Sequence, residues 1–225
     1  MIDFILIMAI LAVSYILGAV PYGYLIVKLA TGKDVRRFES GRTGTTNTMR
    51  VAGLKAGILT VFLDVFKGII AVWLARQLVP SNQWVQVLAP IAAVIGHNYS
   101  IFMLEKDEDG KLHLSGGAGG ATGLGGVIGI WWPSIIYILP VGFALWFGVG
   151  YASVASLSVG IIAMLLFTYR AIYENAPWAY VIYGLFLEII VIWALRPNIQ
   201  RLINGTERLV GWRAKRNKNQ SPDSE

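Results

Sequence analysis

Two short segments rich in glycine and hydroxyl side chains carry the residue types best suited to holding a phosphate. They read Ser-Gly-Arg-Thr-Gly-Thr-Thr-Asn over residues 40–47 and Ser-Gly-Gly-Ala-Gly-Gly-Ala-Thr over residues 115–122, and each stands before a long apolar run. Glycine lets backbone N–H groups approach a ligand closely, and a helix start adds unpaired donors and the positive end of the helix dipole. The pattern predicts phosphate chemistry at a membrane face.

The composition indicates that the rest of the chain lies in a bilayer. Of the 225 residues, 56% are hydrophobic and 14% are charged, and the mean hydropathy is +0.60. A helix needs about 20 apolar residues to cross a bilayer. Four runs of that kind are residues 4–27, 53–79, 84–104 and 178–195.

Residues 120–169 carry no charged side chain. That length fits two tightly turned or three short helices, and we favour three, with turns at Trp131-Trp132-Pro133 and at Gly148-Val149-Gly150-Tyr151. The sequence therefore predicts an all-α polytopic membrane protein with about seven transmembrane helices.

The basic residues predict the orientation. Of the 19 lysines and arginines, seven lie between Lys28 and Lys55 and seven lie from Arg196 onward. Basic loops stay in the cytoplasm, so the first loop and the C-terminus are predicted to be cytoplasmic and the N-terminus outside. Both glycine-rich segments then lie on the cytoplasmic face. The net charge of +6 is read as this bias plus attraction to anionic headgroups, and nucleic acid is not expected as a partner.

The chain is interpreted as one membrane domain over residues 1–212, followed by a basic and polar cytoplasmic tail over residues 213–225 that we expect to be disordered. Cysteine is absent. This excludes a disulfide framework, a thiolate nucleophile and a thiolate metal site.

Six short motifs, in order along the chain, resemble those of the bacterial glycerol-3-phosphate acyltransferases that use acyl-phosphate. The resemblance covers almost the whole sequence. The motifs are Gly18-x-x-Pro21-x-Gly23-Tyr24-Leu25, Ser40-Gly41-x-x-Gly44-x-Thr46-Asn47-x-x-Arg50, Leu63-Asp64-x-x-Lys67-Gly68, Gly96-His97, Gly116-Gly117-x-Gly119-x-Ala121-Thr122 and Asn198-Ile199-x-Arg201-Leu202-x-x-Gly205-x-Glu207.

The resemblance implies transfer of an acyl group from acyl-phosphate to the 1-hydroxyl of glycerol-3-phosphate, which gives lysophosphatidate at an early step of phospholipid synthesis. It also implies a multi-pass protein of the bacterial inner membrane with its active site facing the cytoplasm. No metal or other cofactor is expected. A homodimer or a subunit of a larger complex stays open.

The resemblance assigns roles to residues of this chain. Those implied as catalytic are Ser40, Arg50 and Asn198. The candidate phosphate-binding residues are Gly41, Arg42, Gly44, Thr46, Asn47, Gly116, Gly117, Gly119 and Thr122, and of these Arg42 is a candidate by its charge and not by the family pattern. Supporting positions are His97, Asp64 and Lys67. Arg50 is the strongest single candidate, because a guanidinium fork can hold a phosphate with two hydrogen bonds.

The chain departs from the family pattern at three positions. The family has lysines where this chain has Ser115 and Ala118, and a histidine where it has Leu195. Loss of a charge that neutralises phosphate can lower a rate by orders of magnitude. The alternative is therefore a catalytically degenerate homologue that binds headgroups or serves as an accessory subunit of a membrane complex.

Other cations could take the place of the missing lysines. Arg42 stands where the family tends to have asparagine, and Lys106, Lys111 and His113 lie in an insert just before the second segment. For the insert we favour a solvated hairpin or loop, because its net charge is negative. Arg42 stays open.

Four ionisable residues inside the predicted spans need an interpretation. Asp64 and Lys67 are three residues apart and can pair on one helical face. His97 either supports the second segment or is structural. Glu188 has no obvious local partner and its role is open.

Overall fold

The computed structural model describes residues 2–106 and 109–220, and regular structure in that part of the chain is almost entirely helical. One antiparallel hairpin of β1 (Leu104–Lys106) and β2 (Leu112–Leu114) is the exception. The helices are α1 (Ile2–Ala19), α2 (Tyr22–Thr31), α3 (Thr45–Ala52), α4 (Leu54–Leu78), α5 (Gln83–Asn98), α6 (Gly120–Ile130), α7 (Ile135–Ala144), α8 (Ala152–Tyr173), α9 (Ala179–Ile203) and α10 (Gly211–Gln220).

Within the described residues, six helical segments are long and apolar enough to cross a membrane, and α6 is a shorter apolar helix. The prediction of an all-α, multi-pass membrane protein is confirmed. The number of crossings and the orientation stay predictions.

The uncharged stretch forms three helices, as predicted. They are α6, α7 and α8, and a single π-helical turn, Leu145–Val149, extends α7. The breaks fall at residues 131–134 and 150–151. Pro133 lies in the first break, and Gly150, with φ of +80°, lies in the second. A proline and a left-handed glycine end helices for known steric reasons.

The first predicted span is divided in two. α1 ends at Ala19 and α2 begins at Tyr22, because Pro21 has no N–H and disfavours the helical conformation of Val20. α1 packs closely on α5, since a Cβ added at Gly18 would lie 2.0 Å from the carbonyl oxygen of Ala93.

Two other predicted spans differ in length. The helix expected over residues 84–104 ends at Asn98. The residues that follow form a short 3-10 turn, Ile101–Met103, and then β1. The helix expected over 178–195 continues to Ile203, through Pro197. The hairpin occupies the predicted insert; Asp107 and Glu108 lie outside the described residues.

α6 packs its glycine-rich face directly on α4. A Cβ added at Gly125 would lie 1.9 Å from the carbonyl oxygen of Val65, and one added at Gly68 would lie 2.2 Å from that of Thr122. Small residues allow such backbone contact in membrane proteins. On its other side, α6 accepts a hydrogen bond at Gly123 from the buried Tyr183 hydroxyl of α9, at 2.8 Å.

The C-terminal region differs from the sequence prediction. Residues 213–220, expected to be disordered, belong to α10, so the expected boundary after residue 212 falls inside a helix. Residues 221–225 of the expected tail lie outside the described residues.

Candidate active site

The two glycine-rich segments meet. The backbone N–H of Thr43 donates to the carbonyl oxygen of Gly116 at 3.2 Å. Gly44 caps the start of α3 and Gly119 caps the start of α6, and both glycines line one cavity of about 570 Å³. The predicted convergence of two helix starts is therefore confirmed.

Asn47 shapes the first segment. Its side-chain nitrogen lies 3.0, 3.1 and 2.9 Å from the carbonyl oxygens of Val35, Phe38 and Arg42. Gly41, with φ of +69°, makes the turn that this arrangement needs. Asn47 was expected to bind phosphate; its amide hydrogens go to the loop carbonyls, and the residue also lines the cavity. The other lining residues of the same segment are Ser40, Arg42, Gly44, Thr45 and Thr46.

The second segment rests on the end of α5. The N–H of Gly117 donates to the carbonyl oxygen of His97 at 2.8 Å. A Cβ at Gly116 would lie 2.2 Å from that oxygen, and one at Gly117 would lie 1.9 Å from His97 Nε2. Gly116 and Gly117 therefore secure the loop on α5, whereas Gly119, with φ of +87°, reaches the cavity wall.

Thr122 departs from its expected role. It is fully buried, it does not belong to the cavity lining, and its hydroxyl has no hydrogen-bonding partner among the described residues. Its side chain is therefore not part of the cavity wall. Its backbone contributes to the first turn of α6.

Three arginines line the cavity: Arg42, Arg50 and Arg208. The Arg42 guanidinium donates to the carbonyl oxygen of Ala194 on α9, beside Leu195. Arg50 donates to the carbonyl oxygen of Leu209 at 3.3 Å. Burial lowers the pKa of both guanidinium groups. Both stay charged, because the ordinary pKa of arginine is above about 12.

The position of Arg42 bears on the departures from the family pattern. Ala118 and Leu195, which stand where cations were expected, both line the same cavity as Arg42. A positive charge therefore lines the cavity from which two others are missing. The insert does not supply one, because Lys106, Lys111 and His113 are not among the lining residues of the described chain.

Asn198 is held by a neighbouring carboxylate. Its Nδ2 donates to Glu207 Oε1 at 2.9 Å, and Arg201 Nε donates to Glu207 Oε2 at 3.2 Å. Asn198 Oδ1 is buried without a hydrogen-bonding partner among the described residues. Asn198 and Glu207 both line the cavity. The pairing fixes the orientation of Asn198 at the edge of the site.

Asp64, Lys67 and His97 form a buried polar cluster under the second segment. Lys67 Nζ lies 2.9 Å from Asp64 Oδ1 and 2.8 Å from His97 Nδ1. The predicted ion pair is confirmed. Because a lysine ammonium can only donate, Nδ1 accepts and the proton of a neutral His97 lies on Nε2, next to Gly117. Asp64 Oδ2 has no hydrogen-bonding partner among the described residues, and Asp64 lines the cavity.

The far end of α6 is neutralised by a cation. Arg76 donates to the carbonyl oxygens of Gly129 and Ile130 at 2.8 and 2.6 Å. These are the terminal carbonyls that a helix leaves unpaired, and a cation there complements the dipole. At the cavity end no side chain of the described residues caps α6. The helix therefore presents unpaired N–H donors to the cavity.

Sequence reasoning missed a set of hydroxyl groups. Thr45 on α3 and Ser153 on α8 line the cavity, and the hydroxyl of each is buried without a partner among the described residues. Ser156, one turn further along α8, packs against Gly120. The available signal was a serine pair at the start of a predicted span, just after the Gly148–Tyr151 turn.

The rest of the cavity is apolar. Its walls come from α4, through Ile58 and Val61, and from α7, through Leu139 and Phe143. Ile58 and Phe143 are 57% and 58% exposed at their outer surfaces, so this arm reaches the face that a bilayer covers. Glu188 lies elsewhere: it is buried between α8 and α9, where a Cβ at Gly160 would lie 2.5 Å from its Oε2.

The chain is similar to known proteins over most of its length. Residues 8–205 match the family model described as glycerol-3-phosphate acyltransferase. The chain is 32% identical over 209 residues to glycerol-3-phosphate acyltransferase 2 of Moorella thermoacetica, covering 91% of this chain and 97% of the relative. It is 37% identical over 204 residues to the glycerol-3-phosphate acyltransferase of Rubrobacter xylanophilus, covering 89% and 94%.

Two solved structures share the fold. The crystal structure of PlsY (YgiH), an integral membrane glycerol 3-phosphate acyltransferase, in its glycerol 3-phosphate form, aligns with a TM-score of 0.77 at 30% identity, covering 91% of this chain and 96% of that one. The lysophosphatidic acid form aligns with a TM-score of 0.75 at 29% identity. The chain belongs to the glycerol-3-phosphate acyltransferase family.

Proposed function

We propose that this protein transfers an acyl group from acyl-phosphate to the 1-hydroxyl of glycerol-3-phosphate and so forms lysophosphatidate. One observation carries the proposal: a single cavity joins a polar end, with two helix starts and three arginines, to an apolar arm between α4 and α7. Both proposed substrates carry a phosphate, and one also carries an acyl chain. The cavity therefore offers a polar end for the phosphates and an apolar arm for the acyl chain.

The apolar arm suits the acyl chain. Ile58, Val61, Leu139 and Phe143 would surround its first methylenes, and the exposed outer faces of α4 and α7 would let the remainder stay in lipid. The carbonyl of the acyl-phosphate would then lie where the arm meets the helix starts. This placement would bring it next to the bound glycerol-3-phosphate.

The polar end suits two phosphates. Arg50 and Arg42 offer guanidinium forks, and the starts of α3 and α6 offer backbone N–H groups. The uncapped start of α6 supports the proposal most directly, because Arg76 already neutralises its opposite end. An anion at the open end would complement the positive end of the dipole of this short helix.

The chemistry asks little of the protein beyond positioning and charge stabilisation. The 1-hydroxyl oxygen attacks the acyl carbon, a new carbon–oxygen ester bond forms, and the bond between the acyl carbon and the phosphate oxygen breaks. Phosphate leaves and a substrate phosphate can take the hydroxyl proton. The donor is an activated mixed anhydride, so holding both reactants in one orientation supplies much of the rate.

The proposal includes a location. The positive-inside pattern supports a bacterial inner membrane protein with this site on the cytoplasmic side, where glycerol-3-phosphate is present. Catalysis by Ser40, Arg50 and Asn198 is part of the proposal. Their positions support it, because all three line the cavity.

The test is a product assay with the purified protein in nanodiscs, using acyl-phosphate and labelled glycerol-3-phosphate. We expect lysophosphatidate above background and a loss of about 100-fold or more in kcat/KM for Arg50→Ala. Arg37→Ala is the matched control: Arg37 is an exposed arginine nearby and does not line the cavity. A well-folded preparation that binds glycerol-3-phosphate but makes no product would favour the accessory, headgroup-binding alternative.

A further inference from the structure

The helix α10 has no counterpart in the family match. It occupies Gly211–Gln220, whereas the matched region ends at residue 205. Its ten residues include four cations and no acidic residue. The cations are Arg213, Lys215, Arg216 and Lys218.

α10 is fastened to the end of α7. The N–H of the buried Val210 donates to the carbonyl oxygen of Gly150 at 2.8 Å. Trp212 Nε1 donates to the carbonyl oxygen of Phe147, and Arg213 Nη1 to that of Val149, each at 2.6 Å. Carbonyls at a helix end lack intrahelical partners and favour a cation. These bonds hold the start of α10 against the last turn of a membrane helix.

This attachment places α10 at the level of the lipid headgroups. Trp212 is 50% exposed and lies beside Phe147, which is 49% exposed. Exposed aromatic rings at the end of a membrane helix are typical of the interface between hydrocarbon and water. Arg213 and Arg216 are exposed next to them. A basic helix with an aromatic anchor lies in the interface plane and prefers anionic lipid.

We propose that α10 binds the anionic phospholipid headgroups of the adjacent leaflet. The charge of the helix selects this partner over zwitterionic lipid, and the Trp212 ring supplies the apolar anchor. The bound state has a consequence for the cavity: Trp146 and Phe147 line it, and they belong to the turn that α10 holds. Lipid binding at α10 therefore stabilises one wall of the cavity. The inference does not depend on the reaction proposed above.

The test is amide hydrogen exchange of the full chain in nanodiscs, followed over residues 207–220. One set of discs contains phosphatidylcholine alone and the other also contains phosphatidylglycerol. We expect exchange in this segment to slow by about tenfold or more in the anionic discs, because each basic residue near an anionic surface adds to the attraction.

Two triple variants identify the cations responsible. Lys215→Gln with Arg216→Gln and Lys218→Gln should remove the difference between the two kinds of disc, and it leaves the Arg213 and Trp212 contacts in place. The first-loop variant, Lys28→Gln with Lys33→Gln and Arg37→Gln, removes an equal charge from exposed residues at the end of α2 and in the segment that follows it, and should keep the difference. Equal exchange of the wild-type chain in both discs overturns the proposal. So does loss of the difference in the first-loop variant, because total charge rather than α10 would then explain it.

Discussion

Thr43 and Gly116 join the two halves of the site through one backbone hydrogen bond of 3.2 Å. The same Thr43 lies against Gly23 of α2, where an added Cβ would come 1.9 Å from the Thr43 carbonyl oxygen. Gly116 in turn lies against His97 of α5. The two glycine-rich segments are therefore hydrogen-bonded to each other, and each also packs against a different helix.

We predict that Gly117→Ala abolishes most of the activity. The added methyl would lie 1.9 Å from His97 Nε2, so the loop must move away from α5. The helix start at Gly119 would move with it. We expect kcat/KM to fall about 100-fold, as for loss of an oxyanion donor. Gly148→Ala is the control, because a Cβ there meets no atom within 4 Å. Equal activity of Gly117→Ala and the wild type would contradict the close fit of the loop on His97.

We predict that Arg42 supplies charge that Ala118 and Leu195 do not. Arg42→Ala should lower kcat/KM by about 100-fold, mainly through higher KM values for the two phosphate-bearing substrates. Adding Ala118→Lys should then recover part of the loss, because residue 118 lines the same cavity. Ala118→Gln in the same background provides length without charge and should recover nothing. Full activity of Arg42→Ala would show that Arg42 has no part in binding.

We predict that Asp64 and Lys67 depend on each other for stability. Asp64→Ala leaves a buried ammonium beside His97 and should lower the free energy of unfolding by about 3–5 kcal/mol. The double variant Asp64→Leu with Lys67→Met removes both charges and should be more stable than Asp64→Ala. Unfolding in detergent, followed by circular dichroism, gives the comparison. If the double variant were less stable than Asp64→Ala, the uncompensated ammonium would not be the cause of the lost stability.

We predict that Arg76 acts on the site from the opposite end of α6. Arg76→Met removes two hydrogen bonds to Gly129 and Ile130 and should cost about 1–3 kcal/mol of stability. The start of α6 would be less firmly placed, so KM for acyl-phosphate should rise more than kcat falls. Arg76→Lys should restore part of both. Arg170→Met is the control, because Arg170 pairs with Glu174 and stacks on Trp131 without reaching these carbonyls. Changes in KM of equal size in both variants would contradict the role of Arg76.

Much of the fold could be predicted from residue order. The uncharged stretch divides into three helices where Pro133 and Gly150 stand, because these residues break helices locally. The bounds of the other helices were harder to predict. α9 runs on through Pro197, whose missing N–H frees the Trp193 carbonyl to accept from the Arg196 side chain at 3.2 Å. Such a local substitute bond leaves no periodic signal.

The candidate site could be predicted only in part. The segments that form it could be named, because glycine and hydroxyl residues at a helix start before an apolar run are suited to an anion. The individual roles could not. Asn47 turns inward to three loop carbonyls, and Thr122 is buried away from the cavity. Ser153 contributes a hydroxyl from a helix with no recognised motif.

By itself, the sequence determined that this is a helical membrane protein, and it located two glycine-rich segments with residue types suited to an anion, because hydropathy, charge and helix-breaking residues act locally along the chain. The tertiary structure alone decided which groups line the cavity and which groups hold its supporting elements in place. Arg42 extends to Ala194, Arg76 to Ile130 and Lys67 to His97. Each of these contacts joins residues far apart in the sequence. Such pairs depend on how helices pack, and helix packing is set by the shapes of several surfaces at once.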